Sequence, residues 1–262
     1  HRPKWKTLGQ LDRKSILRGE VIEAYELTVA LTLQVAGLDP SKLLDLVDQY
    51  PDLSPHQRGT LAEAFRGALR STTQTKEMQC LWLRIEKLCR QHATFAEADW
   101  ALPASERMQL QALADEFQLD DPVVKHRWLF DEQFPDLGDR DDDYDERERV
   151  LKVRRREALS DIFTRKGWEG LHQLVSTVMY RYIVGNELGQ LDCDDSAILD
   201  AMNTWQELEA PEWMVFRSAS CSRRAVIGTA WTNRMLAYAD TRSWSPISVA
   251  MALVDYPDER QT

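Results

Sequence analysis

The residues of this 262-residue chain whose types and spacing could do chemistry lie together between Asp136 and Arg156. Asp136, Asp139, Asp141, Asp142, Asp143, Asp145, Glu146 and Glu148 come first, and Arg149, Lys152, Arg154, Arg155 and Arg156 follow at once. Alternate aspartates of this kind form the first half of a calcium loop, where oxygens two residues apart converge on one ion. The second half is missing. Counted from Asp139 or Asp141, the sixth position is Tyr144 or Glu146 where the sharp turn needs Gly, and the twelfth is Val150 or Lys152 where the bidentate ligand should be Glu. Asp139, Asp141, Asp143 and Asp145 are the candidate ligands of an irregular surface site. The simpler expectation is a surface loop over 136–143 without an ion, running into a single helix over about 144–166.

Along that helix acid precedes base, the order that suits the helix dipole, and Asp145 with Arg149 and Glu148 with Lys152 are spaced for pairing one turn apart. Leu151, Ala158, Leu159, Ile162 and Phe163 fall on one face and are expected to meet the core. Arg155 lies near the same line, so it should be partly buried and held by a carboxylate or by carbonyl groups. Arg154 and Arg156 point away from it. With Arg223, Arg224 and Arg217 they are the binding-surface candidates for phosphate, although a chain with 33 basic against 43 acidic residues and a net charge of −10 disfavours nucleic acid. Asp192, Asp194 and Asp195 read as the cap and first turn of the next helix.

Other chemistries leave no local mark. The chain has no phosphate-binding glycine loop, no dinucleotide fingerprint, no nucleophile elbow and no zinc-protease or His-Asp metal motif. No catalytic residue, cofactor or metal follows, and Glu106, Asp115 and Glu116 cannot be ranked as acid-base groups. Cys80, Cys89, Cys193 and Cys221 contain no C-x-x-C pair and read as unbridged thiols in a reducing cytoplasm; the five histidines lack metal-ligand spacing. No apolar run reaches the roughly 18 residues that span a bilayer, and no signal peptide is visible. The chain opens at His1 without Met and stops after Tyr256-Pro257-Asp258, so it is expected to be a segment of a larger protein.

The elements that must position these residues are helical. Met78, Leu81, Trp82, Ile85 and Cys89 step with helical period, as do Leu110, Leu113, Ala114 and Phe117, and Ile198, Ala201, Met202 and Trp205. Leu171, Leu174, Val175, Val178, Met179, Tyr182 and Ile183 predict one helix over 168–185 capped by Gly185-Asn186. Ile247, Ala250, Met251 and Val254 predict a buried stripe in the last helix. Asp39-Pro40, Ser54-Pro55 and Ser245-Pro246 each offer a cap oxygen followed by Pro at the first helical position. The further helices are expected near 16–36, 40–50, 55–71, 75–92, 104–118, 122–133, 142–166, 195–209, 212–219, 223–240 and 246–255. Residues 1–15 are expected to be irregular, and Trp82, Trp168, Trp205 and Trp231 to pack in the core.

An aromatic-Pro-Asp phrase recurs at Tyr50-Pro51-Asp52-Leu53, Phe134-Pro135-Asp136-Leu137 and Tyr256-Pro257-Asp258. Its spacings lie near multiples of the roughly 40 to 47 residues of a HEAT or armadillo unit, though Pro after a helix is also an ordinary stop. Trp5-Lys6-Thr7-Leu8-Gly9-Gln10-Leu11-Asp12, the run Lys125 to Glu132, and Trp244-Ser245-Pro246 through Thr262 resemble the long helical-repeat regions of very large bacterial proteins, some of them similar to signal-transducing NTPases. The resemblance implies a helical-repeat segment of a large cytoplasmic protein and no active-site residue.

The expected fold is therefore all-α, with antiparallel helix pairs stacked as an α-solenoid or a compact helical array. Residues 1–262 are expected to form one helical-repeat domain, with 134–143 as the place for a sub-boundary. The expected function is a non-catalytic scaffold or sensor segment that binds a protein, a peptide or other domains of its own chain. The alternatives are a nucleic-acid-binding repeat using Arg154, Arg156, Arg223 and Arg224, and a helical hydrolase with carboxylate acid-base groups.

Overall fold

The structure, a computed structural model, describes residues 18–36, 41–70, 75–117, 119–138, 143–205 and 212–254. Every regular element among them is a helix, and none is long and apolar enough to cross a membrane. The chain divides into two compact units, His1–Phe117 and Gln118–Thr262. The division falls ahead of the 134–143 segment, and Leu137 belongs to the core of the second unit.

The first unit contains α1 (Arg18–Ala36), α2 (Ser41–Val47), a 3-10 turn at Tyr50–Asp52, α3 (Pro55–Leu69), α4 (Lys76–Thr94) and α5 (Ala104–Glu116). Its centre is α4, whose stripe Met78, Leu81, Trp82, Ile85 and Cys89 is buried as its spacing predicts, against α2, α3 and α5. The Trp82 indole N–H donates to the Ala114 carbonyl at 2.9 Å, so the largest side chain of the stripe also ties α4 to α5. The start of α3 is fixed locally. Ser54 Oγ accepts from the Gln57 amide, the Gln57 side chain accepts from the Ser54 amide, and Pro55 takes the position where no donor is needed.

The second unit contains α6 (Pro122–His126), α7 (Trp128–Asp131), α8 (Tyr144–Thr177), α9 (Arg181–Leu188), α10 (Asp195–Trp205), α11 (Trp213–Ile227), α12 (Thr229–Thr241) and α13 (Pro246–Leu253). Leu151, Ala158, Leu159 and Ile162 are buried on α8, and Phe163 is half-buried against the same core. Trp205 and Trp231 are buried and Trp168 packs on the rim. Two glycines set the course of the chain without any connecting residue. Gly167 (φ 60°, ψ −150°) breaks α8, and Gly228 (φ 72°, ψ −144°) separates α11 from α12. Only glycine enters that region cheaply.

Several expectations on the second unit are corrected. The stripe from Leu171 to Ile183 is not one helix: α8 stops at Thr177 and α9 starts at Arg181. The Ser176 and Thr177 hydroxyls bond back to the carbonyls of Gln173 and Leu174, and the Arg181 guanidinium takes the Val175 carbonyl at 2.9 Å. These side chains satisfy the last turn and let the backbone leave the helix. Met179 is consequently exposed. Gly185 and Asn186 lie inside α9 rather than capping it. The expected break between 219 and 223 is absent, since α11 runs through Ser218–Ser222 and ends at Gly228. In α13 the buried residue is Ala252, whereas Ile247 and Ala250 are exposed, and Val254 lies beyond the helix end and is exposed too. The motifs at Asp39-Pro40 and Tyr256-Pro257-Asp258, residues 1–15, and Asp139, Asp141 and Asp142 lie outside the described residues.

Candidate functional site

Twenty-four of the 33 basic residues are arginine, and the structure puts many of them to one use. Their guanidinium groups dock on backbone carbonyls where helices end and turns begin. In the first unit Arg58 donates to the Leu53 carbonyl at 2.7 Å, Arg84 to Leu44 at 2.7 Å and Arg107 to His92 at 2.8 Å. In the second, Arg147 donates to Pro135 at 3.3 Å and Arg224 to Leu253 at 2.7 Å. A helix end leaves up to four carbonyls without an intrahelical partner, and a planar five-donor group reaches several of them at once.

Arg155 is the fullest example. It is buried on α8, donates from Nε to the Leu129 carbonyl at 2.8 Å and from Nη2 to the carbonyls of Glu132 and Gln133 at 3.0 Å each, and stands 6.0 Å over the Phe130 ring. The expected partner is thus a set of carbonyls at the end of α7. Burial pulls its pKa down to about 10, opposed by the nearby Glu187 carboxylate, so it remains a cation at neutral pH. Arg155→Ala should cost about 2 to 4 kcal/mol in urea unfolding, from lost stem packing and three stranded acceptors. Arg155→Met keeps the packing and should recover about half of that loss; equal losses in the two variants would show that the carbonyl bonds carry the whole effect.

The binding-surface candidates are placed as follows. Arg154 donates to the Leu137 carbonyl at 2.9 Å. Arg156 pairs with Glu187 at 2.9 Å and also reaches Gln190. Arg223 is buried on Asp195, and Arg224 holds the end of α13 together with Arg217, whose Nε donates to the Val254 carbonyl at 3.4 Å. Each has a partner inside its own unit, on four different segments, rather than facing a common ligand. Of the spaced ion pairs on α8, Glu148–Lys152 forms at 2.7 Å, whereas Arg149 pairs with Glu146 in place of Asp145. Asp143 caps α8 by accepting from the Asp145 amide at 3.0 Å.

The carboxylates are similarly occupied. Glu106 accepts from Arg58 at 2.9 Å, Glu116 from Arg70 at 3.3 Å and Asp115 from the Gln111 amide at 3.0 Å. Asp194 takes the capping role expected of it, accepting from the Ser196 amide at 3.2 Å. Asp195 does not. It is buried, accepts from Arg223 Nε at 2.8 Å and Nη2 at 2.6 Å, and is bonded by Arg234 as well. The same Arg223 donates to the carbonyls of Leu191 and Cys193, so one guanidinium joins α10, α11 and the turn before α10. Glu187 is the buried carboxylate of α9, and loss of water around it raises its pKa against the pull of Arg156. No group of three or more metal-ligating side chains occurs among the described residues.

Burial also acts on the histidines. His92 accepts the Leu102 amide on Nδ1 at 3.0 Å, His126 Nε2 meets Asp161 at 3.0 Å, and His172 Nδ1 accepts the Trp205 indole N–H at 3.0 Å. Removal from water holds all three below 6.5, even His126, where it outweighs Asp161. The folded protein therefore binds fewer protons than the unfolded chain between those lowered values and 6.5. Stability is fully present above 6.5 and is lost as pH falls through the window, by at most about 1.4 kcal/mol per pH unit for each histidine. Urea midpoints between pH 7.5 and 5.5 should fall accordingly, and His92→Asn, whose Oδ1 can replace Nδ1 as acceptor, should flatten the slope.

The remaining feature is apolar. On α1, Leu27, Leu31 and Val35 are 61%, 50% and 47% exposed, one above another at four-residue spacing, while Val29 faces the core. On α13 Ile247 is 72% exposed and Ala250 is exposed as well, and Val254, the extended residue just after the helix, is 51% exposed. No charged residue occurs from Leu27 to Ala36 or from Pro246 to Leu253. In comparison with known proteins, no family model, no curated sequence and no solved structure matches this chain.

Proposed function

We propose that the chain is a non-catalytic interaction segment of a larger cytoplasmic protein, a helical repeat that binds protein through uncharged helix faces. The observation that carries this reading is the division of labour among side chains. Arginines and buried carboxylates are engaged in joining helices, whereas the outward apolar stripes of α1 and α13 have no duty in their own units. A contiguous exposed apolar face is the ordinary mark of a protein-binding surface. The engagement of Arg154, Arg156, Arg223 and Arg224 on carbonyls and carboxylates favours this over phosphate binding, and the dispersed carboxylates favour it over acid-base hydrolysis.

The repeat part of the reading draws on the two described aromatic-Pro-Asp-Leu phrases. Each ends in a buried leucine, Leu53 or Leu137. Each also has its Pro and Leu carbonyls taken by arginines of the following helix: Arg58 at Pro51 and Leu53, and Arg147 and Arg154 at Pro135 and Leu137. The cytoplasmic part draws on the four unbridged thiols. A photo-crosslinking residue placed at Leu31 or Ile247 in the living source cell should give polypeptide adducts, while the same residue at exposed Ser105 or Glu157 should not. Equal adduct yields at all four positions, or a salt-sensitive DNA or RNA shift by the purified chain, would overturn the reading.

A further inference from the structure

We propose that His92 is an acid-released clasp of the first unit: when neutral it holds the 95–103 connection against α4, and a proton taken from solvent at Nδ1 frees that connection while the helices stay folded. The inference is independent of the interaction reading above.

The hydrogen bond fixes the protonation state of the ring. The Leu102 amide can only donate, and it meets Nδ1 at 3.0 Å, so that nitrogen carries a lone pair and the ring proton sits on Nε2. An imidazolium is a donor at both nitrogens. A proton on Nδ1 would set two N–H groups head to head in a place that water does not reach freely, and one of them must move. The ring is the fixed partner: it is 3% exposed in the last turn of α4, and the Arg107 guanidinium of α5 holds the His92 carbonyl at 2.8 Å. The connection is the softer one. Its own backbone bonds are short turns, from the Ala98 amide to Phe95 and from the Ala101 amide to Ala98, and the Leu102 amide ties its far end back to α4.

The surroundings set how far the pH must fall. Removal from water opposes the proton most, Arg107 of α5 adds to it, and Asp52 of the 3-10 turn works the other way. The remaining charged groups on the elements around α4 are engaged with one another or face water. Arg58 of α3 pairs with Glu106 of α5, Arg66 and Arg70 of α3 with Glu116 of α5, Asp48 of α2 with Arg84, and Glu86 with Arg90 on α4 itself. The Gln111 amide holds Asp115. Lys42 and Asp45 of α2, His56 and Glu63 of α3, Lys87 of α4, and Glu97 and Asp99 of the connection are exposed. Cys89, one turn back on α4, is pushed up to about 12 by burial and stays a neutral thiol. Release turns Leu102, 4% exposed when held, toward water, together with the covered side of Trp100, whose ring stands edge-on to His92 at 5.2 Å. The first unit thereby presents in acid an apolar surface that it covers at neutral pH.

Amide hydrogen exchange of the 262-residue chain between pH 7.5 and 4.5 tests this, with rates corrected for the intrinsic effect of pH. Protection of the Leu102 amide should be level above pH 6.5 and fall below it by up to about tenfold per pH unit, the slope of a single proton. The Ile85 amide on α4 should stay better protected throughout, and the helical signal should not change, because a local opening leaves the helix core closed. In His92→Asn the side-chain Oδ1 accepts the same amide and does not titrate, so Leu102 protection should become independent of pH. His92→Leu has no acceptor, and its Leu102 protection should be low and level at every pH. Should His92→Asn fail to fold, the His92 ring-proton titration of the wild-type chain takes its place, and its midpoint should lie below 6.5, inside the pH range where Leu102 protection falls. Wild-type Leu102 protection that does not fall, an equal fall in His92→Asn, a ring titration outside that range, or protection equal to that of Ile85 at each pH would each overturn the clasp.

Discussion

Gly185→Ala is expected to destabilise the second unit by about 3 kcal/mol or more, although the same change inside most helices is favourable. A Cβ at Gly185 would lie 2.0 Å from Ser218 Oγ, 2.4 Å from the Val215 carbonyl oxygen and 3.0 Å from Val215 Cα. One turn on, a Cβ at Gly189 would lie 2.4 Å from the Ala219 carbonyl oxygen and 2.9 Å from the Arg223 amide. Four of these five obstacles are backbone atoms of α11 that no rotamer change can move. The glycines are therefore where α9 approaches α11 most closely, and the small row Ser218, Ala219 and Ser222 on α11 permits it. Relief would require the helices to separate, and the buried Val184, Leu188, Val215 and Phe216 would lose contact with them.

The competing effect is helix propensity, which favours Ala over Gly by about 1 kcal/mol and is too small to offset such a separation. Gly59 provides the matched control. It lies inside α3, and a Cβ there meets nothing within 4 Å. Gly59→Ala should raise the urea midpoint by an amount equivalent to about 0.5 to 1 kcal/mol, while Gly185→Ala and Gly189→Ala lower it. A Gly185→Ala variant whose midpoint rises as that of Gly59→Ala does would show that α9 and α11 are not in close contact in solution.

Gly185 also shows where reading by sequence stops. A glycine after a helical run marks either a C-cap or a close helix approach, and the sequence before it is the same in both cases. Val178 and Met179 continue the stripe numerically, so the periodic signal passes over a break made by the Ser176 and Thr177 hydroxyls. The caps at Ser54 and Ser245 were legible because each cap oxygen directly precedes a Pro at the first helical position, whereas the part of Gln57 in a capping box at Ser54 was not read. The break at Gly167 was legible as well, between two expected helices, while the equivalent break at Gly228 was masked by apolar residues on both sides.

The stripe of α13 illustrates a different limit. Its residues lie on one face, as the period demands, but periodicity does not say whether anything covers that face. Likewise the partners of the arginines are mostly backbone carbonyls, which carry no residue-type signature. Arg155 was legible because it falls on an apolar line. Arg223 was not, since its serine and alanine neighbours on α11 conceal how deeply that face is buried. The candidate surface on α1 lay in a segment whose helix was expected but whose outward leucines were indistinguishable from core.

Asp195 is the position where the largest electrostatic loss is expected. Asp195→Ala should destabilise the second unit by about 3 to 5 kcal/mol, because it leaves the buried Arg223 cation with only the Leu191 and Cys193 carbonyls. Water cannot replace the carboxylate freely, as the Asp195 and Arg223 side chains are about nine-tenths covered. Arg234 contributes little to this total. Its side chain is 59% exposed, so Arg234→Ala should cost at most about 1 kcal/mol. A nearly isosteric pair of apolar residues removes both charges at once, and Asp195→Leu combined with Arg223→Met should be less destabilised than Asp195→Leu alone. Urea unfolding of the single and double variants measures the coupling directly. A loss below about 1 kcal/mol in Asp195→Ala, or additive losses in the cycle, would mean that α10 and α11 are joined by apolar packing and that the ion pair is incidental.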